Sequence, residues 1–320
     1  MSRCACHNAD RKRATIPFHR ILNMNHAPEL EYRRTRVNVR HAGQLKLMCS
    51  EIAFLNEFKG AKHTVVYAGA APGTHIPCLV GMFPEMRFVL IDSQPSAVSD
   101  ARCEIIQGLM TDGLASELVE RLGNDILFIS DVRVAPVGKG ETDREHQTRI
   151  QRDMEAQMGW HNILNPTAAM FKFRLPWDLE PYTSYLQGDI HFPVFGRHLT
   201  HEARLVVKRG AALVSYDNGK YERQMAFFNR VQRVAIYDDG RCYDCTAFRE
   251  IVGEYLGKPV CAPAVEETCL DIENKLNEQA RQWHRKRQKS TLVDPVCEHR
   301  AKRVCAGFGR DRLEGGKGVR

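Results

Sequence analysis

Between residues 43 and 58 the apolar positions Leu45, Leu47, Met48, Ile52, Ala53, Leu55 and Phe58 recur at helical spacing. The segment predicts an amphipathic helix with Lys46 near its start. The β-branched run 64–68 predicts a buried strand, broken by Gly69-Ala-Ala-Pro-Gly73, with a second helix starting near Thr74 or His75. Residues 87–91 predict the next strand, ending at Asp92, and 103–106 a third. The strongest apolar run, 125–130, ends at Asp131, and a helix is expected over about residues 145–160. Later strands are expected at 168–174 and 203–207, with 211–216 paired to the latter, and at 233–237. Strands and helices in alternation, with apolar strands, predict an α/β fold: a mostly parallel sheet with helices on both faces. Residues 1–40 carry little regular pattern and read as an arm that is extended or packs late. No internal repeat is visible.

Composition adds boundaries. At 320 residues, 43% hydrophobic and 27% charged, the chain suits one domain of about 200–250 residues with tails. The body is placed at 41–274, between a basic arm at 1–40 and a tail at 275–320 that should be mostly disordered. No window approaches about 18 uncharged apolar residues, so no membrane partner is expected, and no apolar stretch follows Met1 to suggest a secretory signal. Charge is unevenly spread: +6 over residues 1–40, +8 over 275–320 and −7 between them. Basic ends of this kind either hold a polyanion by counterion release or are solvated tails. Eleven cysteines, odd in number and scattered, suggest free thiols in a reducing compartment. Cys242/Cys245 and Cys4/Cys6 lack the compact repeated spacing of zinc sites, so no metal is expected.

Ligands of open parallel sheets sit outside the carboxyl ends of the strands. The loop Gly69–Gly73, Asp92 and Asp131 fall at three such ends. Asp92 follows Gly73 by nineteen residues, where an acid reaches ribose hydroxyls in nucleotide-binding folds. The loop lacks a third glycine, and Pro72 removes a backbone N–H from any phosphate cradle. That favours S-adenosyl-L-methionine, which has an adenosine ribose and no phosphate, with a nicotinamide oxidoreductase as the other reading.

Several segments then carry a resemblance in unbroken order over roughly residues 29–257. They are Gly43-Gln-Leu-Lys-Leu47, Val65-Val-Tyr-Ala-Gly-Ala-Ala-Pro-Gly-Thr-His-Ile76, Leu90-Ile-Asp92 and Ile129-Ser-Asp-Val-Arg133. Further along come Ile163-Leu-Asn-Pro166, Phe171-Lys-Phe-Arg174, Thr200-His-Glu-Ala-Arg204 and Tyr221-Glu-Arg-Gln-Met225. Together they resemble the poxvirus cap-specific mRNA (nucleoside-2′-O)-methyltransferases, which double as the small, stimulatory subunit of poly(A) polymerase. The resemblance implies a Rossmann-like S-adenosylmethionine-dependent methyltransferase from a large DNA virus, located in the virion and host cytoplasm. It implies methylation of the ribose 2′-hydroxyl of the first transcribed nucleotide of capped mRNA. Capped mRNA and a viral poly(A) polymerase catalytic subunit are the implied partners. A non-catalytic or dual-role RNA-binding processivity subunit and an rRNA 2′-O-methyltransferase are the alternatives.

The resemblance also implies residue roles. Lys46, Asp131, Lys172 and Glu202 match the family's Lys-Asp-Lys-Glu tetrad. A lysine can take a hydroxyl proton once its pKa falls from about 10.4, and Lys172 is the expected base. Gln44, Tyr67, Gly69, Gly73, Asp92, Gln94, Met110 and Asp131 are implied at the cofactor, with Ser93-Gln94 standing where the family has Gly-Arg. A cationic 7-methylguanine binds best between electron-rich rings, with carboxylates accepting from its N1 and N2 hydrogens. Tyr32 and Trp177 are the implied rings, Asp178 and Glu222 the acids, and Arg174 and Thr200 further cap residues.

Overall fold

A computed structural model describes residues 12–33, 39–134, 140–177 and 179–293, with side chains to residue 285. In chain order the first elements are β1 (Ile21–Leu22), α1 (Gly43–Asn56), β2 (Thr64–Ala68), α2 (Ile76–Met82), β3 (Arg87–Asp92), β4 (Cys103–Gln107), α3 (Asp112–Leu122), β5 (Ile126–Ser130) and α4 (Asp143–Leu164). There follow β6 (Ala168–Phe173), β7 (Tyr182–Leu186), β8 (Asp189–His191), β9 (Ala203–Lys208), β10 (Leu213–Asp217), α5 (Asn218–Phe227), α6 (Tyr243–Leu256) and α7 (Pro263–Val293). A π-helical turn over Phe228–Gln232 continues α5.

The main sheet runs β1-β8-β9-β6-β5-β2-β3-β4. Its β4-β3-β2-β5-β6 part is parallel, and β9, β8 and β1 add antiparallel pairings. Strands β2, β3 and β5 are buried along nearly their whole length, as apolar runs covered on both faces should be. The edge strand β4 is mostly exposed. The chain steps from β2 outward to β3 and β4, then crosses back through α3 to β5 on the other side of β2. Right-handed crossovers therefore put α2 and α3 on opposite faces, and α3 packs with α4 while α1 packs with α2 and α6. The reversal makes the carboxyl ends of β2, β3 and β5 a topological switch point, where a crevice opens.

Three expectations change and one, the arm, is made specific. Segment 211–216 does not pair with 203–207: β9 already has β6 on one edge and β8 on the other, so β10 pairs with β7 in a separate two-stranded ribbon. Residues 233–237 form no strand, because Arg233 turns wholly inward to pair with Asp244 at 3.1 Å and donates to the carbonyls of Gly196 and Arg197. The arm is packed over residues 12–33: β1 pairs with β8, Ala14 N–H donates to Ile236, and Leu30 N–H donates to Arg223. Finally, α7 continues through residue 275 to Val293 where a disordered tail was expected, burying Val265, Cys269, Ile272 and Leu276 at helical spacing. The chain divides into two compact units, Met1–Leu276 and Asn277–Arg320. Among the described residues no helix is long and apolar enough to cross a membrane.

Candidate active site

Four elements converge on one charge cluster at the carboxyl end of the parallel strands. Lys46 lies in the first turn of α1, Asp131 follows β5, Lys172 is the penultimate residue of β6, and Glu202 precedes β9. Antiparallel pairing sets Arg204 of β9 directly beside Lys172. Lys46 Nζ donates to Glu202 at 2.5 Å. Lys172 Nζ stands 3.3 Å from Asp131 and 3.8 Å from the second Glu202 oxygen. Arg204 Nη1 meets Asp131 at 2.7 Å, and its Nη2 lies 3.7 Å from Glu202. The expected tetrad is thus assembled, with Arg204 as a fifth member.

Three cations surround two carboxylates. Burial alone would raise the Asp131 and Glu202 carboxyls, yet the cations win and hold both below the usual carboxylate range. Burial lowers the Lys46 ammonium against the pull of Glu202. Burial works against the Arg204 charge, but Asp131 and Glu202 more than restore it. Behind Lys46, Glu202 and Arg204 a cavity of about 30 Å³ is lined by Ala53, Phe54, Met170, Val206 and Ile251. Low-dielectric material at the rear strengthens every charge interaction in front of it. Burial thus favours loss of the Lys46 proton, the direction a lysine base requires.

The neighbouring crevice tests the choice between nucleotide ligands. Gly69 and Ala70 N–H both donate to the Ile91 carbonyl, at 2.9 and 3.3 Å. Ala71 N–H donates to Asp92 Oδ2 at 3.0 Å, and Pro72 has no N–H. Four consecutive loop positions therefore offer nothing to a pyrophosphate, whose cradle consists of free backbone N–H groups. Gly69 (φ 81°) is required by close approach: a Cβ there would lie 2.9 Å from the Asp131 carbonyl carbon. Gly73 (φ 66°) is similarly confined by the Ala70 carbonyl oxygen at 2.8 Å. Asp92 also accepts from Gln94 N–H at 2.8 Å, so each of its oxygens keeps a lone pair for a ribose hydroxyl. Gln44 lies across the loop, its oxygen accepting from Thr74 Oγ1 at 2.8 Å. The donor set fits the neutral nucleoside of S-adenosylmethionine: Asp92 would hold the ribose and Gln44 the amino-acid end. Gln94 is exposed and meets Asp92 through its backbone, and Met110 is buried just beyond β4. Tyr67 differs from expectation. Its ring is buried and its hydroxyl donates to Glu51 at 2.7 Å, so its side chain does not line the crevice.

The expected cap residues gather on the other side of Glu202. Trp177 and Glu222 line one cavity of about 460 Å³ together with Asp217, Asn218 and Gly219, within the range of small-molecule sites. The Arg174 guanidinium lies 4.1 Å from the Trp177 ring centroid. Burial, then Arg133, lowers its pKa to about 10. Helix α4 holds both residues: Gln147, with its amide oxygen turned toward them, accepts from Trp177 Nε1 at 3.1 Å and Arg174 Nη2 at 3.3 Å. Thr200 Oγ1 accepts from Glu202 N–H at 3.1 Å and fixes the turn before the Glu202 carboxylate. Tyr32 and Trp177 do not face each other directly. The ring of His201 contacts both, with centroid distances of 5.1 and 4.9 Å. Asp178 lies outside the described residues.

Sequence reasoning missed Arg204, His201, Glu51 and His75 as site residues. Arg204 had a signal, since it stands two residues after Glu202 and so shares its face of an extended segment. No three His, Cys, Asp or Glu side chains gather as a metal site among the described residues.

A family model for the poly(A) polymerase regulatory subunit matches residues 14–252. The cap-specific mRNA (nucleoside-2′-O-)-methyltransferase of Myxoma virus (strain Lausanne) is 28% identical over 234 residues, covering 64% of this chain and 67% of its own. The protein of the same name from Fowlpox virus (strain NVSL) is 29% identical over 223 residues, covering 62% and 70%. Among solved structures, bluetongue virus VP4 aligns over 69% of this chain and 40% of its own, at 14% identity and a TM-score of 0.42. With the family model running from residue 14 of the arm through the crevice and the whole charge cluster, the chain belongs to the poly(A) polymerase regulatory subunit family.

Proposed function

We propose that this protein transfers the methyl group of S-adenosylmethionine to the ribose 2′-hydroxyl of the first transcribed nucleotide of 7-methylguanosine-capped mRNA, taking cap-0 to cap-1. The observation that carries the reading is the cluster of Lys46, Asp131, Lys172, Glu202 and Arg204 beside a glycine loop whose positions 69–72 offer no N–H to a phosphate. The cofactor supplies an electrophilic methyl; the chain must orient the 2′-hydroxyl and relieve it of its proton. Lys172 sits between Asp131 and Glu202 and is the base in this reading. Asp131 and Glu202 orient the ammonium, and Arg204 keeps both carboxylates charged. The lowering of the Lys46 ammonium by burial favours a second reading, with Lys46 as base. Its short hydrogen bond to Glu202 makes it the more constrained of the two.

The aromatic and acidic cavity around Trp177 and Glu222 supports a capped substrate over rRNA. Membership of the regulatory subunit family supports a second role beside a poly(A) polymerase catalytic subunit. The test is transfer of tritium-labelled methyl to cap-0 RNA and to the same RNA uncapped, with nuclease digestion to locate the label. Label on the 2′-oxygen of the first nucleotide of capped RNA alone is expected. Equal labelling of both RNAs would move the assignment to an rRNA-type enzyme, and RNA binding without transfer to a non-catalytic adaptor.

A further inference from the structure

Helix α1 buries a carboxylate on its apolar side. Glu51 is fully buried among Met48, Ile52 and Leu55, and no cation from Lys or Arg pairs with it among the described residues. Its Oε1 accepts from the Tyr67 hydroxyl at 2.7 Å and meets His75 Nε2 at 2.9 Å. Oε2 is also 2.9 Å from that nitrogen, off the hydrogen-bonding direction, and takes no other bond. The other ring nitrogen of His75, Nδ1, lies 2.8 Å from Gln44 Oε1, which also accepts from Thr74 Oγ1. Tyr67, Glu51 and His75 are each 1% exposed or less. Burial and the Glu51 carboxylate push the Tyr67 hydroxyl well above its ordinary value, so it stays a donor.

The chain of bonds ends at a group that is not buried. Gln44 and Glu51 are two helical turns apart on one face of α1, but Gln44 is half-exposed at the mouth of the crevice. With a proton on both ring nitrogens, His75 donates Nε2–H to Glu51 and Nδ1–H to Gln44 Oε1; Thr74 being the second donor to that oxygen, the amide then presents its NH2 outward, and that NH2 makes no hydrogen bond within the described residues. An exposed amide is free to turn over, exchanging donor for acceptor; one whose oxygen is held by two buried donors is not. A buried polar network whose members are hydrogen-bonded fixes the orientation of the groups it ends on.

We propose that Tyr67, Glu51 and His75 are positioning residues that lock the Gln44 amide with its NH2 toward the cofactor's amino-acid carboxylate. The proposal rests on the reading that the crevice binds S-adenosylmethionine, and it gives the Tyr67 side chain a role at a site it does not touch. It also gives His75 a role in the Ala-Pro-Gly-Thr-His run.

The test is calorimetric binding of two ligands that differ only in that carboxylate: S-adenosylhomocysteine and its decarboxylated analogue. Wild-type protein should prefer S-adenosylhomocysteine by roughly tenfold or more, about the size of one charge-assisted hydrogen bond. Glu51→Gln, nearly isosteric, should lose most of that preference by weakening S-adenosylhomocysteine while the analogue binds as before. Tyr67→Phe removes only the far hydroxyl and should lose a smaller part, which keeps the test open if Glu51→Gln fails to fold. Preference retained in a folded variant, or equal weakening of both ligands, would reduce the network to a structural element and overturn the proposal. Equal wild-type affinity for the two ligands would overturn it as well. Wild-type protein that binds neither ligand would instead sink the cofactor reading.

Discussion

The crevice beside β2 and β5 and the aromatic face around Trp177 meet at Glu202 and His201, yet they are made of different material. On the crevice side, charge is buried and answered by charge: Arg204 is 5% exposed, and it and Lys172 reach Asp131 and Glu202 from neighbouring strands. The supporting backbone is the buried middle of the main sheet, parallel through β6 and joined antiparallel by β9. On the aromatic side, rings meet tilted or edge-on and a cation lies over one of them, on loops and an arm held by short antiparallel pairings. The first region fixes reacting groups by making any displacement expensive. The second leaves Tyr32 and Trp177 only half-buried. Damage to the crevice side should therefore appear as lost stability together with lost chemistry, and damage to the aromatic side as lost affinity in a protein that still folds.

The largest effect should come from Arg204→Met. It strands two buried carboxylates with one partner fewer, and breaking a buried pair in this way costs about 3–5 kcal/mol. Urea denaturation should show that loss, and methyl transfer should fall with it. If stability is unchanged, the crevice is less dependent on paired charge than argued.

Gly69→Ala should come next. A side chain at positive φ, pressed against the Asp131 carbonyl, costs on the order of 1–3 kcal/mol and displaces the Asp131 backbone. Thermal unfolding and S-adenosylhomocysteine affinity should both decline. A variant with wild-type affinity would mean that the contact between the two loops does not shape the crevice.

Trp177→Ala sharpens the contrast. It should weaken binding of a 7-methylguanosine analogue by about 1–3 kcal/mol, the usual worth of a stacking face, while S-adenosylhomocysteine affinity and the unfolding midpoint stay near wild type. Equal loss of both ligands would erase the distinction between the two regions.

The last effect is absent at neutral pH and appears only on acidification. Burial lowers the His201 and His161 rings to about 4, against about 6.5 when unfolded. Because the folded values are depressed, the stability they contribute is full above pH 6.5 and is lost as pH falls toward 4. His201→Phe should flatten that limb by up to one proton, about 1.4 kcal/mol per pH unit. An unchanged slope would mean that His201 is not held neutral between Tyr32 and Trp177.

The same division explains what could be read from the chain. β2, β3 and β5 are visible as apolar runs because both their faces are buried, and the glycine loop, Asp92 and Asp131 follow because function gathers at those strand ends. The antiparallel side is less legible. Strands of two to five residues such as β1, β8 and β10 carry too short a pattern to name their partners, so β10 was assigned to β9 although both edges of β9 are taken. Glu51 and His75 were passed over for another reason. A carboxylate in a helix reads as a solvent-facing residue until the strand behind it supplies a tyrosine and the next helix a histidine. Arg233 misled in the same way, its strand-like surroundings concealing a buried pair with Asp244.

The central claim is that a lysine in the cluster takes the 2′-hydroxyl proton, and single-turnover methyl transfer tests it most directly. Lys172→Arg and Lys46→Arg should be measured beside wild type at saturating S-adenosylmethionine and cap-0 RNA. Arginine keeps the positive charge but stays protonated at any working pH. The account predicts that Lys172→Arg loses roughly 10²–10⁴ in rate, the span of general-base catalysis, with S-adenosylhomocysteine affinity retained, and that Lys46→Arg loses less. A Lys172→Arg rate within about tenfold of wild type, only ~1.4 kcal/mol of barrier, would contradict it.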